Sequence, residues 1–549
     1  MKIGSVISIV FTFAGIARSQ VTPPETVFKP DTSLPKVNVP EFVITGKAGN
    51  NMAQFNKEST RIDSLYFQNK ALAGLIMEIP VNRSLSLQSS NFQAGSLFAH
   101  VSTGSYATTS YLLSGCGGIG GTRLNGSLGG NYTSGYTPQT MRRDVSVQAG
   151  AGGDIELDES AKTTNSAEIG YSRASFFLYG TGITNLLRTT NGFDLVLRSD
   201  MNFGNFPLGA GLSFDRFSVQ DFEKAAQSVA DLKLNSMLQL QSGSINLDGS
   251  LRFGNHNTTS PLSPIDQSFY KLTLGAEYGN NIGDFSYAVA LNYFQYADDS
   301  GNGIAKIYPD LRGTYKVNNE VSLSARFFGD VENSSLSTFL NGNRYVEMNF
   351  PLRNSQDYAN FTFGGDWIVN DEISVSPKLN ISASRFYPIF VTFPSAFIGA
   401  DTSHADNQLL YANKATIFTA SVSVQYKKDK FGADATLNSR IGTADSLTSI
   451  PNLAPFDLTV GAIYQINPQF NLRASIFILS ARYSDLALKN KISPAWLLNF
   501  HLAYNLKVAQ LPVEIFADVK NVLDQKYDIW QGYQEFPIGL FIGINSKIL

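Results

Sequence analysis

The sequence predicts an all-β fold, a large antiparallel transmembrane β-barrel of about 22 strands, within a range of roughly 16 to 22. Three observations support this fold class. Apolar and polar side chains alternate with a period of two along most of the chain after residue 96. Short, turn-forming connections alternate with long ones. After the first twenty residues, no run of about 18 apolar residues could cross a membrane as a helix.

The composition agrees with a strand-rich protein. Of the 549 residues, 16% are charged, 12% are aromatic and 46 are glycine, a balance typical of strands and turns. The formal net charge of −3 provides no basic surface, so nucleic acid is not expected as a partner. The single cysteine, Cys116, excludes an internal disulfide and a cysteine-based metal cluster.

The alternation is clearest in the segment PVEIFADVKNVLDQKY, residues 512–527. Since successive strand residues point to opposite faces, one face would carry Val513, Ile515, Ala517 and Val519, and the other Glu514, Asp518 and Lys520. The segments SINLDGSLRF (244–253) and VSLSARFFGDV (321–331) follow the same rule. One face is therefore suited to lipid and the other to water.

The connections fall into two sets. The tight set is 241–244, 317–320, 369–372, 427–430 and 466–469, each built from turn formers. The roomy set is 254–267, 296–303, 388–413, 442–455 and 524–537. This asymmetry is typical of membrane barrels, which have short periplasmic turns and long extracellular loops.

A soluble β-sandwich is the alternative architecture for such strands. About 450 residues of sandwich should divide into domains joined by linkers, and the sequence contains no such linker. A closed barrel satisfies every backbone hydrogen bond in lipid, which an open sheet cannot do. The pattern therefore favours the barrel.

The first 95 residues lack the regular alternation of apolar and polar side chains that follows them. Residues 1–19 combine Lys2, an apolar run and small residues near Ser19, and they predict a secretory signal peptide. Residues 20–95 are predicted to form a periplasmic or lumenal N-terminal arm, which is rich in Pro and Thr over 20–45 and has one short helix predicted over 55–78. The barrel is predicted over 96–549.

The polar face supplies the candidate site residues, since side chains that line the lumen would select what passes. These candidates are Asp248, Arg252, Arg326, Arg473 and Asp518. Aromatic residues near the predicted strand ends favour membrane-interface girdles, although those in long loops could instead stack on a sugar or another ligand; they are Tyr293, Phe294, Tyr296, Trp367, Tyr527, Trp530 and Tyr533.

Catalytic residue types are scarce. His100 and His501 lie in strand-like stretches, whereas His256 and His404 lie in predicted loops. No nucleophile elbow or zinc-type histidine pair accompanies them. We therefore predict that the protein is not an enzyme and has no cofactor or metal site.

The C-terminal strands resemble those of TonB-dependent receptors of the Gram-negative outer membrane. The penultimate strand of that family commonly carries a V-x-N-[LV]-[FL]-D-x-x-Y pattern, matched here by Val519, Asn521, Val522, Leu523, Asp524 and Tyr527. The resemblance extends over roughly 96–549. It implies an outer-membrane location, contact with outer-membrane lipids, and capture or passage of a solute.

The N-terminal arm contains a segment similar to the one that such receptors present to a periplasmic TonB-type protein. It is PEFVITGKA, residues 40–48, with Phe42, Val43, Ile44, Thr45 and Gly46 at its centre. The same residues are equally consistent with a β-prone linker. A TonB-type protein is thus an expected partner on the strength of the resemblance.

The arm is shorter than the plug domain that usually precedes the barrel in this family. A wide barrel without a plug would be an open hole. The lumen would then be filled by the arm, by inward loops such as 388–413, or by a separate protein. The alternative function is therefore a plugless subunit of a secretion, assembly or surface-display complex, with a partner such as a surface lipoprotein in its lumen.

Overall fold

The computed structural model describes residues 95–158, 161–181, 186–203, 206–260, 264–299, 301, 303–394 and 405–548. The predicted signal peptide, the 40–48 segment and the 55–78 helix lie outside the described residues. Twenty-two strands form one sheet: β1 Ser96–Gly104, β2 Thr108–Ile119, β3 Thr122–Thr133, β4 Arg142–Asp158, β5 Ala161–Phe177, β6 Leu187–Phe203, β7 Phe206–Gln220, β8 Lys224–Leu240, β9 Gly243–Thr258, β10 Asp266–Ile282, β11 Phe285–Asp298, β12 Gly303–Lys316, β13 Val321–Val331, β14 Gln356–Asn370, β15 Ile373–Arg385, β18 Ala415–Lys428, β19 Phe431–Ala444, β20 Phe456–Asn467, β21 Phe470–Leu479, β24 Ala495–Val508, β25 Leu511–Lys520 and β28 Gly539–Ile548.

The long connections contain further short elements. Three small hairpins pair β16 Tyr387–Pro394 with β17 Ala405–Ala412, β22 Arg482–Tyr483 with β23 Lys491–Ile492, and β26 Asp528–Trp530 with β27 Tyr533–Gln534. Helix α1 is Leu336–Gly342, and 3-10 turns occupy Pro138–Thr140 and Tyr179–Thr181. Among the described residues, no helix is both long and apolar enough to cross a bilayer.

The sheet closes on itself, because the first strand pairs with the last. β1 and β28 are antiparallel, with Leu97 opposite Ile548 and Gly104 opposite Phe541. Closure leaves the 22-stranded sheet of the described residues without an unpaired edge, which is the condition for spanning a bilayer with strands. The prediction of a large antiparallel barrel of about 22 strands is confirmed.

The two faces of the wall have opposite character. Large apolar residues such as Leu247, Phe253 and Ile515 are 42%, 53% and 47% exposed. Their polar neighbours Glu514 and Asp518 are each 8% exposed. The exposed apolar surface faces outward, where lipid would cover it, and the polar side chains point into the barrel.

The two ends of the barrel also differ. Gly120 and Gly121, at φ 56° and 85°, form a two-residue turn between β2 and β3, a geometry that suits tight hairpins. All the predicted tight connections lie at this end, here called the short-turn end, where β1 begins and β28 ends. The predicted roomy connections lie at the opposite, long-loop end.

The lipid-facing surface predicts a depth-dependent cost for charge. Leu274, 49% exposed, lies at the middle of β10, and its neighbour Thr273 points into the barrel. We expect Leu274→Arg to destabilise the folded barrel by about 2–4 kcal/mol in a bilayer, and the matched control Thr273→Arg by clearly less. Urea unfolding in lipid vesicles measures both, and equal losses would contradict the assignment of the two faces.

Candidate functional site

Two of the predicted polar positions form ion pairs with neighbouring strands on the inner wall. The Arg252 guanidinium on β9 lies 3.2 Å from the Asp231 carboxylate on β8. Arg326 on β13 donates from Nε and Nη2 to the two oxygens of Asp310 on β12, at 2.9 and 2.8 Å. Bidentate pairs of this kind fix the direction of the guanidinium. Asp248, also on β9, leans across Gly275 on β10.

The structure brings together the other two predicted positions. Arg473 on β21 is the register partner of His501 on β24. His501 Nδ1 lies 2.6 Å from Oδ1 of Asp518 on β25. Arg473, His501 and Asp518 thus form one cross-strand group, distant in the strand order from Arg252 and from Arg326.

His100 takes part in an inner-wall relay that superficially resembles a catalytic triad. Its Nε2 lies 3.0 Å from Ser110 Oγ and its Nδ1 lies 2.6 Å from Asn545 Oδ1. Ser110 is only 1% exposed, and the backbone of β2 is engaged in strand pairing on both sides. A substrate carbonyl has neither access to Ser110 nor free backbone donors there for an oxyanion.

His256 differs from the prediction, which put it in a loop. It lies within β9, it is 0% exposed, and its Nε2 is 3.1 Å from the carbonyl oxygen of Phe350. The strand continues past the predicted boundary because residues 254–258 pair with β8 and β10. His404 lies outside the described residues. Within the part of the chain that the structure describes, no group of three His, Cys, Asp or Glu residues is placed to hold a metal ion.

The Asn and Asp of the C-terminal motif shape a turn. Asn521 and Asp524 both have φ of 50°, a region that Asn and Asp tolerate better than most residues. The Asn521 side chain donates to the Gln525 carbonyl at 3.0 Å and accepts from the Gln525 amide at 3.1 Å. Asp524 Oδ1 accepts from the Ile538 amide at 3.0 Å. These bonds hold the connection 521–538 in a fixed shape.

Long connections meet over the mouth of the barrel at the long-loop end. We call the described residues of these connections the cap, which comprises 332–355, 386–394, 405–414, 445–455, 480–494 and 521–538. Its largest apolar cluster combines wall residues from β5, β7 and β8 with residues of these connections; among its buried members are Phe176, Val219, Ala225, Leu336, Phe339, Val346, Phe390, Ala454, Ile529 and Tyr533. Since the members come from distant parts of the strand order, the cap crosses the mouth.

The connection 332–355 supplies the inner part of the cap. Helix α1 begins after Ser335, whose hydroxyl accepts a 3.0 Å hydrogen bond from the Thr338 amide. Leu336, Phe339 and Leu340 lie on one face of α1 and are all buried. Their spacing of three and four residues is the amphipathic pattern of a helix.

Arg188 is the strongest polar anchor of this connection. It stands at the top of β6, is 2% exposed, and donates from Nε and Nη2 to Oδ2 of Asp221 at 2.9 and 2.7 Å. Its Nη1 donates to the carbonyl oxygens of Arg344 and Val346, at 2.8 and 2.7 Å. One buried guanidinium therefore joins β6 and the turn after β7 to the cap.

Gln267 pairs with the cap backbone as a strand would. Its Nε2 donates to the Leu352 carbonyl at 2.8 Å and its Oε1 accepts from the Leu352 amide at 3.0 Å. Gln227 Oε1 accepts from the Leu336 amide at 2.7 Å. Inward side chains of β8 and β10 thus satisfy backbone groups of a connection that could not be buried without them.

An aromatic stack joins the two halves of the cap. The rings of Tyr345 and Tyr533 lie 3.7 Å apart at an interplanar angle of 15°, and Tyr179 meets Tyr533 edge-on at 5.1 Å. Burial raises the pKa of Tyr345, with a further contribution from the charge of Glu535. The ring is therefore neutral at ordinary pH and packs as an apolar group.

The girdle prediction was wrong for the aromatic residues of 521–538. Tyr527, Trp530 and Tyr533 are 2%, 4% and 1% exposed and belong to the cap core. Phe294 and Tyr296 are also buried, at 4% each. Among the predicted girdle residues, Trp367 is 50% exposed on the outer surface, as predicted.

A cavity of about 410 Å³ lies beneath the cap. Its wall consists mainly of inward side chains of β2 to β7, and its roof includes Leu340 and Asn341 of α1, Arg344 and Phe536. The volume lies within the range of small-molecule sites, about 300–1,000 Å³. None of the five predicted polar positions lines this cavity.

Similar structures were found by comparing the fold, whereas no protein-family model and no curated protein matches the sequence. The FrpB iron transporter from Neisseria meningitidis (F3-3 variant) has a TM-score of 0.65 at 11% identity, over 84% of this chain and 82% of that chain. Copper transporter OprC has a TM-score of 0.64 at 12% identity, over 83% and 81%. The siderophore receptor PiuA from Acinetobacter baumannii has a TM-score of 0.61 at 10% identity, over 83% and 82%.

This chain has the barrel fold of the TonB-dependent receptors. The resemblance inferred from residues 519–527 thus extends to the whole barrel. A closed barrel of this kind with an apolar outer surface is a Gram-negative outer-membrane protein, as predicted. The similar structures are an iron transporter, a copper transporter and a siderophore receptor.

Proposed function

We propose that this protein captures a solute at the cell surface and passes it through the barrel, with the cap as its outer gate. The observation that carries the proposal is the cap itself, which crosses the mouth and partly covers a cavity on the inner wall. A purely structural barrel needs no cavity of ligand size beneath its loops. Arg252, Arg326, Arg473, Asp248 and Asp518 are proposed to act below the cap, on what passes along the wall.

The proposal includes a TonB-type periplasmic protein as the source of energy for passage. Its support is the resemblance of residues 40–48 to the segment that such proteins bind, together with the shared barrel fold. β1 begins at the short-turn end, the end that membrane barrels of this kind turn toward the periplasm.

Planar-bilayer recording of the full chain tests the gate. The variant replaces residues 336–350 with a short Gly-Ser segment, which removes α1 and the two carbonyl groups, of Arg344 and Val346, to which Arg188 donates. We expect low conductance from the unaltered chain and a large, stable conductance from the variant, because a barrel of about 22 strands has a wide lumen. Equal conductance from the two proteins would contradict a gating cap.

Purification from gently solubilised membranes distinguishes the alternative function. A receptor is expected to purify without a stoichiometric protein in its lumen. A one-to-one partner that protects inner-wall residues from labelling would instead support a subunit of a larger complex. In this chain, its own connections already occupy the outer mouth.

A further inference from the structure

We propose that the cavity beneath the cap is a binding site for an uncharged, polyhydroxylated solute, an oligosaccharide in chemical class. This inference rests on the proposed function and names the class of solute for it. The argument starts from the inner faces of β3 to β6, which form a regular polar surface on one side of the cavity.

Three rows of facing residues make this surface. They are Asn131, Asp144, Ala174 and Thr190 in the row nearest the cap, then Gly129, Ser146, Ser172 and Gly192, and then Ser127, Gln148, Gly170 and Asp194. Strands lie about 4.8 Å apart and alternate residues about 6.6 Å apart, so the surface measures roughly 13 by 14 Å. We call it the polar platform.

Glycines keep the platform open. A Cβ at Gly170 would overlap the Asp194 carboxylate, and a Cβ at Gly192 would lie 2.6 Å from Ser172 Oγ. Any side chain at either position would displace the polar groups beside it. The small residues therefore leave room over the wall for a bound molecule.

Several polar groups of the platform are unpaired. Asp144, Asp194, Ser146, Ser172 and Thr190 form no ion pair or side-chain hydrogen bond within the residues that the structure describes. A carboxylate only accepts, whereas a hydroxyl both donates and accepts. A ligand with many hydroxyl groups matches this set, because each of its hydroxyls can donate to a carboxylate and exchange hydrogen bonds with Ser or Thr.

The charges around the cavity disfavour ionic ligands. The lining combines Asp144 and Asp194 with Arg142 and Arg344, and Arg142 lies 3.9 Å from the Glu535 carboxylate, so neither a polyanion nor a polycation would meet a surface of purely opposite charge. Among the described residues, no three His, Cys, Asp or Glu side chains are grouped there to hold a bare metal ion. An uncharged ligand does not require such a surface.

Aromatic rings border the platform. Phe217 stands beside Gly192, with its Cδ2 3.7 Å from where a Cβ would lie. Phe176, Phe536, Phe541 and Tyr106 line other edges of the cavity. Flat apolar rings beside hydroxyl and carboxylate groups suit a sugar, which has an apolar C–H face and a polar rim.

A glycan array probed with the full-length protein in detergent tests this assignment. The array carries neutral di- to hexasaccharides, and ferrichrome, cyanocobalamin and spermidine are titrated separately by calorimetry. We expect saturable binding of at least one neutral oligosaccharide. The proposed class would be overturned if the protein retained no neutral oligosaccharide on the array. It would also be overturned if the protein bound spermidine or ferrichrome more tightly at this cavity.

Variants then locate the binding. We expect Asp144→Asn and Asp194→Asn each to weaken binding by about tenfold or more, and Gly192→Val to abolish it. Asp200→Asn is the matched control, because Asp200 lies on the inner face of β6, as Asp194 does, but does not line the cavity. This variant should bind the oligosaccharide within about twofold of the unaltered protein. Equal losses in all three Asp→Asn variants would overturn the site. Heat-modifiable mobility on gels verifies that each barrel is folded.

The conductance experiment keeps the two proposals separate. If removal of 336–350 opens the barrel but no oligosaccharide binds, the solute class is wrong and the gated passage stands. If oligosaccharide binds on the platform but conductance never changes, the site stands and the gate is wrong.

Discussion

Arg188→Ala is expected to weaken the attachment of the connection 332–355 to the barrel wall by about 3–5 kcal/mol. The reason is that the substitution leaves the buried Asp221 carboxylate without its partner. The side chains of Arg188 and Asp221 are 3% and 0% exposed. The substitution also removes both hydrogen bonds to the carbonyl oxygens of Arg344 and Val346. We expect residues 336–352 to lose hydrogen-exchange protection while the barrel strands keep theirs.

The double variant Arg188→Ala/Asp221→Ala is the control. It removes the unpaired charge along with its partner, so we expect it to recover part of the lost protection. If the single and double variants exchange alike, desolvation of Asp221 is not the source of the effect. If neither variant changes exchange in 336–352, Arg188 does not anchor the cap.

Tyr533→Ala is the second large perturbation. Tyr533 is 1% exposed, stacks on Tyr345 and fills the space above Gly180. Truncation of a buried aromatic side chain costs about 3–5 kcal/mol. Since this ring joins 521–538 to 332–355, we expect the two connections to separate and the single-channel conductance to rise.

Tyr533→Phe is the matched control for that prediction. It retains the ring, and with it the stack on Tyr345 and the edge contact with Tyr179. We expect its conductance to remain close to that of the unaltered protein. A conductance increase as large as that of Tyr533→Ala would show that the stack is not what holds the cap.

The barrel was predictable from the sequence because its physics is local. In β25, Ile515 is exposed while Glu514 and Asp518 are buried, as the period of two requires. Turn formers at 241–244 and 466–469 marked the short-turn end for the same reason. Each inference needed only a few neighbouring residues.

The cap was not predictable in the same way. Leu336, Phe339 and Leu340 have helical spacing, so the helix within 332–355 had a signal in the sequence. Its partners Arg188 and Gln267 lie far away in the chain, however, and appear as ordinary polar residues of strand ends. Only the closed barrel brings them together.

The grouping of residues around the cavity could not be predicted from the sequence either. Asp194 and Asp144 belong to the alternation of β6 and β4, which marks them as inward residues and no more. Their grouping depends on the register of three strand pairs. The predicted positions from Asp248 to Asp518 were chosen by charge within single segments, and they line the wall away from the cavity.

Thiol accessibility beneath the cap tests the central claim most directly. Thr190→Cys, in a Cys116→Ser background, places a thiol at the cavity, and a bulky, membrane-impermeant maleimide is added to whole cells. Phe222 lies in the turn between β7 and β8 at the long-loop end and is 57% exposed. Phe222→Cys therefore gives the reaction rate of a thiol that the maleimide reaches freely. We predict that Thr190→Cys reacts at least about tenfold more slowly than Phe222→Cys, and that Tyr533→Ala removes most of the difference. Equal rates at the two positions with the cap unaltered would contradict a closed outer mouth.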